Sequence, residues 1–262
     1  MNFQDTHQQV ADLALKTVNE ASTTAMSYFR QLLEVETKSD ESPVTVADKN
    51  VEAQIRKSLS AAYPDFGILG EEFGGENLDA ETFWVVDPID GTRSFISGMP
   101  LFGMLLGLVD QGKPVLGIVA MPALNEVYIG QAGVGARMNG LPITVSSQTD
   151  LAAATLYINE TETMVSQYPD VFAKLLKAGK NRRMSYDCYP HALVAAGYID
   201  AVVDCNLQPY DYLPIVALIE AAGGLMTDWQ GNPLTIHSDG RVLSAATPEL
   251  LAQLIETVGG AA

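Results

Sequence analysis

The sequence has few basic residues and few cysteines, and both shortages exclude classes of protein. Its 262 residues contain 15 Lys and Arg against 32 Asp and Glu, which gives a formal net charge of −17 at pH 7. A chain with this charge repels phosphate-rich polymers and anionic lipid surfaces, so we expect neither nucleic acid nor a membrane as a partner. Cys188 and Cys205 form neither a CxxC pair nor a zinc ribbon. Two isolated thiols in a chain of this length predict buried cysteines in a reducing cytoplasm.

Long apolar segments and repeats are also missing. The longest apolar run covers residues 101–109, which is too short to span a bilayer. Residues 1–5 do not start a basic region followed by an apolar stretch, so the sequence predicts neither a secretory signal nor a transit peptide. We find no internal repeat, low-complexity segment or long linker. The hydrophobic content of 47% is enough for one large core or two closely joined lobes.

The first half of the chain predicts helices followed by a sheet. Apolar residues recur at helical spacing over residues 4–33, which predicts a long amphipathic helix, and a second helix is expected over 48–61. The polar stretch between them, residues 38–43, predicts a surface loop. Short apolar or alternating segments bounded by turn residues then predict strands of one sheet at 67–69, 82–86, 101–109, 114–121 and 126–130.

The second half alternates between the two kinds of element. Strands are predicted over 154–158, near Arg183, over 199–204 and over 242–246; helices are predicted over 169–177, 189–196 and 211–222, with a final helix at the end. This alternation indicates an α/β arrangement. We therefore expect an N-terminal α+β lobe over residues 1–145 and a C-terminal α/β lobe over 146–262.

Two aspartates directly follow a strand that the pattern predicts to be buried. Asp87 and Asp90 lie three residues apart, with Pro88 fixing one backbone angle and Gly91 freeing another. Both carboxylates can therefore turn toward one point, with the Ile89 carbonyl between them. Hard oxygen donors of this kind are the ligands of Mg²⁺ rather than of zinc. The alternative is an acidic surface turn, but the placement of proline and glycine argues against it.

Two further carboxylates occupy similar positions, and each has a plain alternative. Glu71 follows a predicted strand, where an ordinary solvated loop residue would also fit. Asp211 precedes an apolar helix, so by itself it predicts a helix N-cap, with Pro214 tolerated in the first turn. A carboxylate there can cap the helix and bind an ion, and the positive end of the helix favours phosphate nearby. The three histidines are scattered, and His191 within a predicted helix is expected to be structural.

These motifs together resemble a known family. The resemblance is to the inositol monophosphatase superfamily, and it covers about residues 38–224. Its motifs are Pro43-Val44-Thr45-Val46-Ala47-Asp48, Gly70-Glu71-Glu72, Asp87-Pro88-Ile89-Asp90-Gly91-Thr92, and Asp211 followed by Glu220-Ala221-Ala222-Gly223-Gly224. The resemblance implies a layered α-β-α-β-α sandwich, a homodimer, and two or three Mg²⁺ ions per subunit.

The resemblance also implies a set of metal ligands. Glu71, Asp87 and the Ile89 carbonyl would hold the first ion. Asp87, Asp90 and Asp211 would hold the second, while Glu71 would contact a third. This set agrees with the chemistry of phosphate monoester hydrolysis, because paired cations can neutralise the phosphate dianion, activate water and stabilise the leaving alkoxide. Bound cations would also explain how so acidic a chain accepts an anion.

By the same resemblance, Glu71, Thr92 and Asp48 are the catalytic residues. Thr92, supported by Asp48, would orient the attacking water. Gly91 and Thr92 would lie against the substrate phosphate. A protein that binds cations only for stability or assembly remains as a non-enzymatic alternative, although it leaves the hydroxyl directly after the Asp-Gly pair without a role.

The second half of the chain indicates the substrate. Asp187-Cys188-Tyr189 and Pro209-Tyr210-Asp211-Tyr212 resemble the histidinol-phosphate phosphatase branch of the superfamily. Its substrate carries an amine and an imidazole, so a pocket containing Asp187 and Asp204 would suit it electrostatically. In the alternative reading, Asp187 is a turn residue and Asp204 a strand-end residue. The other substrate class that remains open is inositol monophosphate or a broad range of sugar phosphates.

Overall fold

Eight α-helices are described in the computed structural model, which covers residues 3–32, 35–37 and 43–259. They are α1 (Phe3–Tyr28), α2 (Val46–Ala62), α3 (Thr92–Ile96), α4 (Thr161–Gln167), α5 (Pro169–Leu175), α6 (Tyr189–Ala195), α7 (Pro209–Ala221) and α8 (Pro248–Val258). Within these ranges no helix is both long and apolar enough to cross a membrane.

Most of the strands belong to two large sheets. The strands are β1 (Val35–Thr37), β2 (Pro43–Thr45), β3 (Gly67–Gly70), β4 (Gly74–Glu76), β5 (Thr82–Asp90), β6 (Gly103–Asp110), β7 (Lys113–Met121), β8 (Glu126–Gln131), β9 (Gly135–Met138), β10 (Leu141–Ile143), β11 (Thr155–Ile158), β12 (Asn181–Met184), β13 (Ala201–Asp204), β14 (Leu225–Asp228) and β15 (Val242–Ala245). Eight strands form one sheet in the order β10-β9-β8-β7-β6-β5-β3-β4, and five form another in the order β12-β11-β13-β15-β14. The pair β1-β2 stands apart.

Strand β5 is buried on both faces of the eight-stranded sheet. Successive side chains of a strand point to opposite faces. Trp84 and Val86 therefore pack into the core shared with α1 and α2, whereas Phe83 and Val85 pack into the core shared with α6 and α7. This burial on both sides explains the continuous apolar run. The run ends where residues 87–92, the acidic motif, begin.

Helices α6 and α7 fill the space between the two sheets. Helix α7 packs across β5 to β8 of the larger sheet and also contacts β14 of the smaller one. Its approach is very close, since a Cβ atom at Gly117 on β7 would lie 1.8 Å from the carbonyl oxygen of Pro214. Helices α5 and α8 cover the outer face of the smaller sheet. The five layers confirm the α-β-α-β-α sandwich that the resemblance predicts.

Several boundaries differ from the sequence prediction. Helix α1 ends at Tyr28 rather than at residue 33, and β5 continues through the acidic motif to Asp90. The pattern missed several short elements, namely helices α3 and α4 and strands β1, β2, β4, β9, β10 and β14. Residues 38–42 of the predicted surface loop lie outside the described residues. The division after residue 145 falls between the two sheets, but α7 packs on both, and the two-lobe description stays a prediction.

Candidate active site

Three carboxylates meet at the end of β5. Asp87 and Asp90 lie on either side of an irregularity in the pairing of β5 with β6, and Asp211 is the third residue of α7. One carboxylate oxygen from each of the three lies within 4.8 Å of the others. The backbone N–H of Ile89 donates to Asp87 Oδ1 at 3.0 Å, which holds the turn between the aspartates. The sequence motif therefore produces the converging oxygens that it predicts.

Asp211 occupies a different helix position from the one predicted. Helix α7 begins at Pro209, Gln208 is its N-cap, and the Asp211 carboxylate accepts the backbone N–H of Gln208 at 2.7 Å. Asp211 thus closes the first turn from inside the helix. Pro214 correspondingly lies in the second turn rather than the first. The carboxylate lies at the positive end of the helix, where negative charge is stabilised.

Glu71 reaches the same cluster from the neighbouring strand. Strands β3 and β5 pair in parallel, and the Glu71 N–H donates to the Val86 carbonyl at 3.1 Å. Parallel neighbours end at the same edge of a sheet, so Glu71 emerges beside Asp87. The two carboxyl groups are close neighbours, and both line one cavity with Asp90 and Asp211.

Crowding raises the pKa of the carboxyl groups in this cluster. Burial, followed by repulsion from Glu71, raises the pKa of Asp87 well above its ordinary value. Burial and repulsion from Asp187 raise the pKa of Asp90 to about 8, and burial with repulsion from Asp90 raises the pKa of Asp211 strongly. Such groups favour a bound cation, which would relieve both desolvation and repulsion. An all-oxygen set of this charge fits a hard divalent cation.

The hydroxyl of Thr92 lies beside this cluster. Thr92 Oγ1 is 3.3 Å from Asp48 Oδ1 and 3.2 Å from the Ile89 carbonyl oxygen. Asp48 is fully buried at the start of α2, where its other oxygen accepts the N–H and the hydroxyl of Thr45. Asp48 therefore has a fixed orientation, and a Thr92 hydroxyl that donates to it keeps its lone pairs for a proton from water. The contact between Thr92 and Asp48 is the one that the resemblance implies.

Gly91 brings Asp187 against the acidic motif. The Asp187 carboxylate accepts the hydroxyl of Ser94 at 2.7 Å, and the next N–H, that of Cys188, donates to Asp90 Oδ2 at 2.6 Å. A Cβ atom at Gly91 would lie 2.5 Å from Asp187 Cγ, and Gly91 itself has φ of 82°. Both the space and the backbone angle therefore require glycine.

We expect Gly91→Ala to destabilise the protein by about 2 to 4 kcal/mol, from a left-handed alanine plus the collision with Asp187. Activity should fall about tenfold or more, because Asp187 and Thr92 would both move. Gly112→Ala is the matched control: Gly112 has φ of 77° with nothing within 4 Å of the added Cβ. It should cost about 1 kcal/mol and leave turnover unchanged. Thermal denaturation and steady-state kinetics measure both effects, and equal stability losses would contradict the collision.

The cavity holds a second group of carboxylates. It has a volume of about 420 Å³ and is lined by the four carboxylates above and by Glu160, Asp187 and Asp204. Burial and repulsion from Asp204 raise the pKa of Glu160 to about 7, and burial raises the pKa of Asp187 to about 6. Arg93 also lines the cavity, and its guanidinium lies 3.5 Å from the Glu162 carboxylate. The site therefore has a second group of acidic side chains next to the proposed metal ligands.

Asp204 is more enclosed than the sequence predicts. Its side chain lines the cavity wall, but the residue is only 1% exposed. One carboxylate oxygen lies 3.0 Å from His191 Nε2 and 2.7 Å from the amide nitrogen of Asn159, and the other accepts the N–H of Cys205. Asp204 thus contributes charge from a buried position, and Asp187 offers the more accessible oxygen atoms.

The structure assembles a Ser-His-Asp set that sequence spacing does not reveal. His191 Nδ1 is 2.8 Å from Ser244 Oγ, so His191 joins Ser244 to Asp204. All three are buried, with exposures of 0%, 0% and 1%. A nucleophile must reach its substrate, and this hydroxyl cannot. The set fastens α6 to β13 and β15, which agrees with the structural role predicted for His191.

Sequence reasoning missed several residues around the site. Ser94 and Asn159 hold the Asp187 loop, and Glu160 projects into the cavity from a residue with φ of 46°. A non-glycine residue at positive φ is strained and often marks a functional segment. Glu160 lies just past a short predicted strand, a signal too weak to single it out. Ser94 lies two residues after the motif Asp87-Pro88-Ile89-Asp90-Gly91-Thr92, so its position in the sequence could have singled it out.

Comparison with known proteins agrees with this geometry. The model of the inositol monophosphatase family matches residues 6–261. Over 94% of this chain and 95% of the relative, 39% of residues are identical to the histidinol-phosphatase of Chlorobaculum parvum. Identity is 31% to the inositol-1-monophosphatase of Bacillus subtilis, over 95% of this chain and 96% of that one. The solved inositol monophosphatase of Zymomonas mobilis superposes with a TM-score of 0.87 at 35% identity, covering 96% of this chain and 98% of that one.

The layered fold and the carboxylate cluster define a class of metal-dependent hydrolases. The chain belongs to the inositol monophosphatase family, as the motif resemblance predicts. It is a phosphatase that acts on phosphate monoesters, like the relatives that carry those names. The non-enzymatic cation-binding alternative is therefore set aside.

Proposed function

We propose that the protein is a Mg²⁺-dependent phosphatase that hydrolyses L-histidinol phosphate to L-histidinol. The observation that carries this proposal is the second group of carboxylates, which places Asp187 and Glu160 in the same cavity as the cluster around Asp87. A substrate that carries both a phosphate and cationic groups suits a cavity that contains both sets of carboxylates. The similarity to a histidinol-phosphatase over nearly the whole chain supports the same choice.

Two or three Mg²⁺ ions would be held by Glu71, Asp87, the Ile89 carbonyl, Asp90 and Asp211. When bound, such ions neutralise the phosphate dianion, increase the acidity of water and stabilise the leaving oxygen. The fit rests on the all-oxygen donor set and on the raised pKa values of Asp87, Asp90 and Asp211. The carboxylate and carbonyl oxygens would position the phosphate indirectly, through the cations that they would hold.

The remaining site residues orient water and substrate. Thr92, held by Asp48, accepts a hydrogen bond from the attacking water and so orients a lone pair of that water toward phosphorus. Glu71, next to Asp87, is the third catalytic residue and also a proposed Mg²⁺ ligand. Gly91 and Thr92 line the cavity and form the wall against which the phosphate would lie. No side chain fits at Gly91, since its Cβ would overlap Asp187. Asp187 and Glu160 bind the cationic end, and Asp204 adds negative charge from its buried position.

For histidinol phosphate, Asp187→Asn should lower kcat/KM by roughly 1.5 to 3 kcal/mol, the range for losing one charge-assisted hydrogen bond. Asparagine keeps the size of the side chain and its capacity to accept the Ser94 hydroxyl, so the loop stays in place. Glycerol phosphate, which has no cationic group, should be hydrolysed at nearly the original rate. Steady-state kinetics on both substrates makes the comparison, and equal losses would show damage to the metal site instead.

Inositol monophosphate is the second candidate substrate, because two relatives at 33% and 31% identity are named inositol-1-monophosphatase. It would require hydrogen bonds to hydroxyl groups in place of charge contacts. We further propose that the enzyme works in the cytoplasm as a homodimer and that its reaction involves neither nucleic acid nor a membrane; the net charge of −17 supports the last two statements. Sedimentation of the purified protein tests the dimer.

A further inference from the structure

Helix α2 carries a buried carboxylate that belongs neither to the metal set nor to the substrate set. Glu52 is 0% exposed, and one of its oxygens accepts the Nε proton of Arg56 at 2.7 Å. The other accepts the backbone N–H of Glu72 at 2.7 Å, and the N–H of Phe73 lies 3.3 Å from the first. A single carboxylate therefore holds two successive N–H groups of the turn that follows Glu71.

Arg56 holds the end of the same turn. Its guanidinium donates to the carbonyl of Gly74, while its Nε remains on Glu52. At the start of the turn, a Cβ atom on Gly70 would lie 2.0 Å from the Glu52 carboxylate oxygen. Only glycine lets the end of β3 approach so closely. The Glu71 backbone is thus fixed between β5, through its N–H, and the turn that Glu52 holds.

A polar stripe on α2 connects these contacts of Glu52 and Arg56 with Thr92. Asp48, Glu52 and Arg56 are spaced by four residues, so they lie on one side of the helix. Asp48 contacts Thr92, and Glu52 contacts the turn after Glu71. Buried polar groups are costly unless each one has a partner, and every member of this stripe has one. One helix therefore orients both sides of the catalytic cluster.

We propose that Glu52 and Arg56 are a positioning pair that holds Glu71 in place for the cation. The proposal rests on the proposed role of Glu71 as a Mg²⁺ ligand. Glu71 lines one cavity with the acidic residues Asp87, Asp90 and Asp211, and such crowding of like groups is unfavourable when no cation lies between them. The turn must therefore be held toward the cluster by other contacts, and Glu52 supplies them. A pair of this kind sets the affinity for the cation and has little effect on the chemical step at saturation.

Glu52→Gln tests the proposal. Mg²⁺ binding measured by calorimetry should weaken about tenfold. The Mg²⁺ concentration for half-maximal turnover of a generic phosphate ester should rise by about the same factor. At saturating Mg²⁺, kcat should stay within about threefold. Hydrogen exchange should become faster over residues 71–74 and remain unchanged in the smaller sheet. A purely structural residue would lower stability without separating Mg²⁺ affinity from kcat.

Two further variants keep the test decisive. Glu76→Gln removes a charge that lies 3.8 Å from the same guanidinium but is exposed and holds no N–H of the turn, so Mg²⁺ affinity should change less than twofold. Arg56→Lys retains the charge but loses the two-sided contact, and it should weaken Mg²⁺ binding by about threefold to tenfold even if Glu52→Gln fails to fold. Unchanged Mg²⁺ affinity in the folded variants overturns the positioning role. Absence of Mg²⁺ binding by the unmutated protein overturns the proposed function instead.

Discussion

Asp90→Asn should lower Mg²⁺-dependent turnover by about a hundredfold or more. The change removes one charge from the carboxylate cluster without removing volume, and the cations that supply the electrostatic part of catalysis lose a ligand. The amide oxygen can still accept the N–H of Cys188, so the Asp187 loop stays in place. Steady-state kinetics over a range of Mg²⁺ concentrations measures the effect, and unchanged turnover would show that the metal assignment is wrong.

The same variant should be more stable than the unmutated protein when Mg²⁺ is absent. The pKa of Asp90 is raised to about 8 in the folded protein, so folding is favoured by the proton and this contribution is lost as the pH rises from about 4 to about 8. At pH 7 the mutant avoids this loss, which reaches about 4 kcal/mol at about 1.4 kcal/mol per pH unit. Denaturant unfolding at pH 5 and pH 7 should show a smaller pH dependence for the mutant. Asp65→Asn, at an exposed position, is the control and should show no gain.

Thr92→Ala should lower kcat by about a hundredfold or more while leaving Mg²⁺ affinity nearly unchanged. A hydroxyl that orients water acts mainly in the transition state, and Thr92 supplies no carboxylate to the metal cluster. Thr92→Ser keeps the hydroxyl beside Asp48 and should retain most of the activity. Kinetics combined with calorimetry of Mg²⁺ binding separates the two quantities.

Thr82, at the start of β5, provides the control for this prediction. The hydroxyl of Thr82 donates to Asp110 at 2.6 Å at the start of the strand, so Thr82→Ala breaks the same kind of contact away from the site. It should leave kcat unchanged. If Thr92→Ala instead weakened Mg²⁺ binding strongly with kcat preserved, the hydroxyl would be structural, holding the Ile89 carbonyl in place.

Local sequence rules predicted the acidic motif well. Asp87 and Asp90 converge because Pro88 and Gly91 control the backbone between and after them, and this geometry depends on consecutive residues alone. The burial of Trp84 to Val86 likewise followed from their apolar run. Strand ends in the layered fold then determine where the site lies, and the motif identified the family that has this fold.

Contacts between distant segments were beyond the reach of these rules. Glu52 reads as an exposed helical glutamate, and its burial depends on the end of β3 arriving beside it at Gly70. Asp204 reads as an open strand-end acid, but α6 places His191 on it. Asp211 is the third residue of α7 rather than its N-cap. The helix begins two residues earlier than predicted, because Pro209 can occupy the first turn of a helix.

The substrate assignment is tested most directly by comparing the unmutated enzyme on three phosphate esters. With Mg²⁺ present, kcat/KM should be highest for L-histidinol phosphate, much lower for inositol 1-phosphate and lowest for glycerol phosphate. Chelation of the metal should abolish all three activities. The two acidic groups of the cavity predict this order, because only the first substrate places positive charge beside Asp187 and Glu160. Faster hydrolysis of inositol 1-phosphate than of histidinol phosphate would contradict the account.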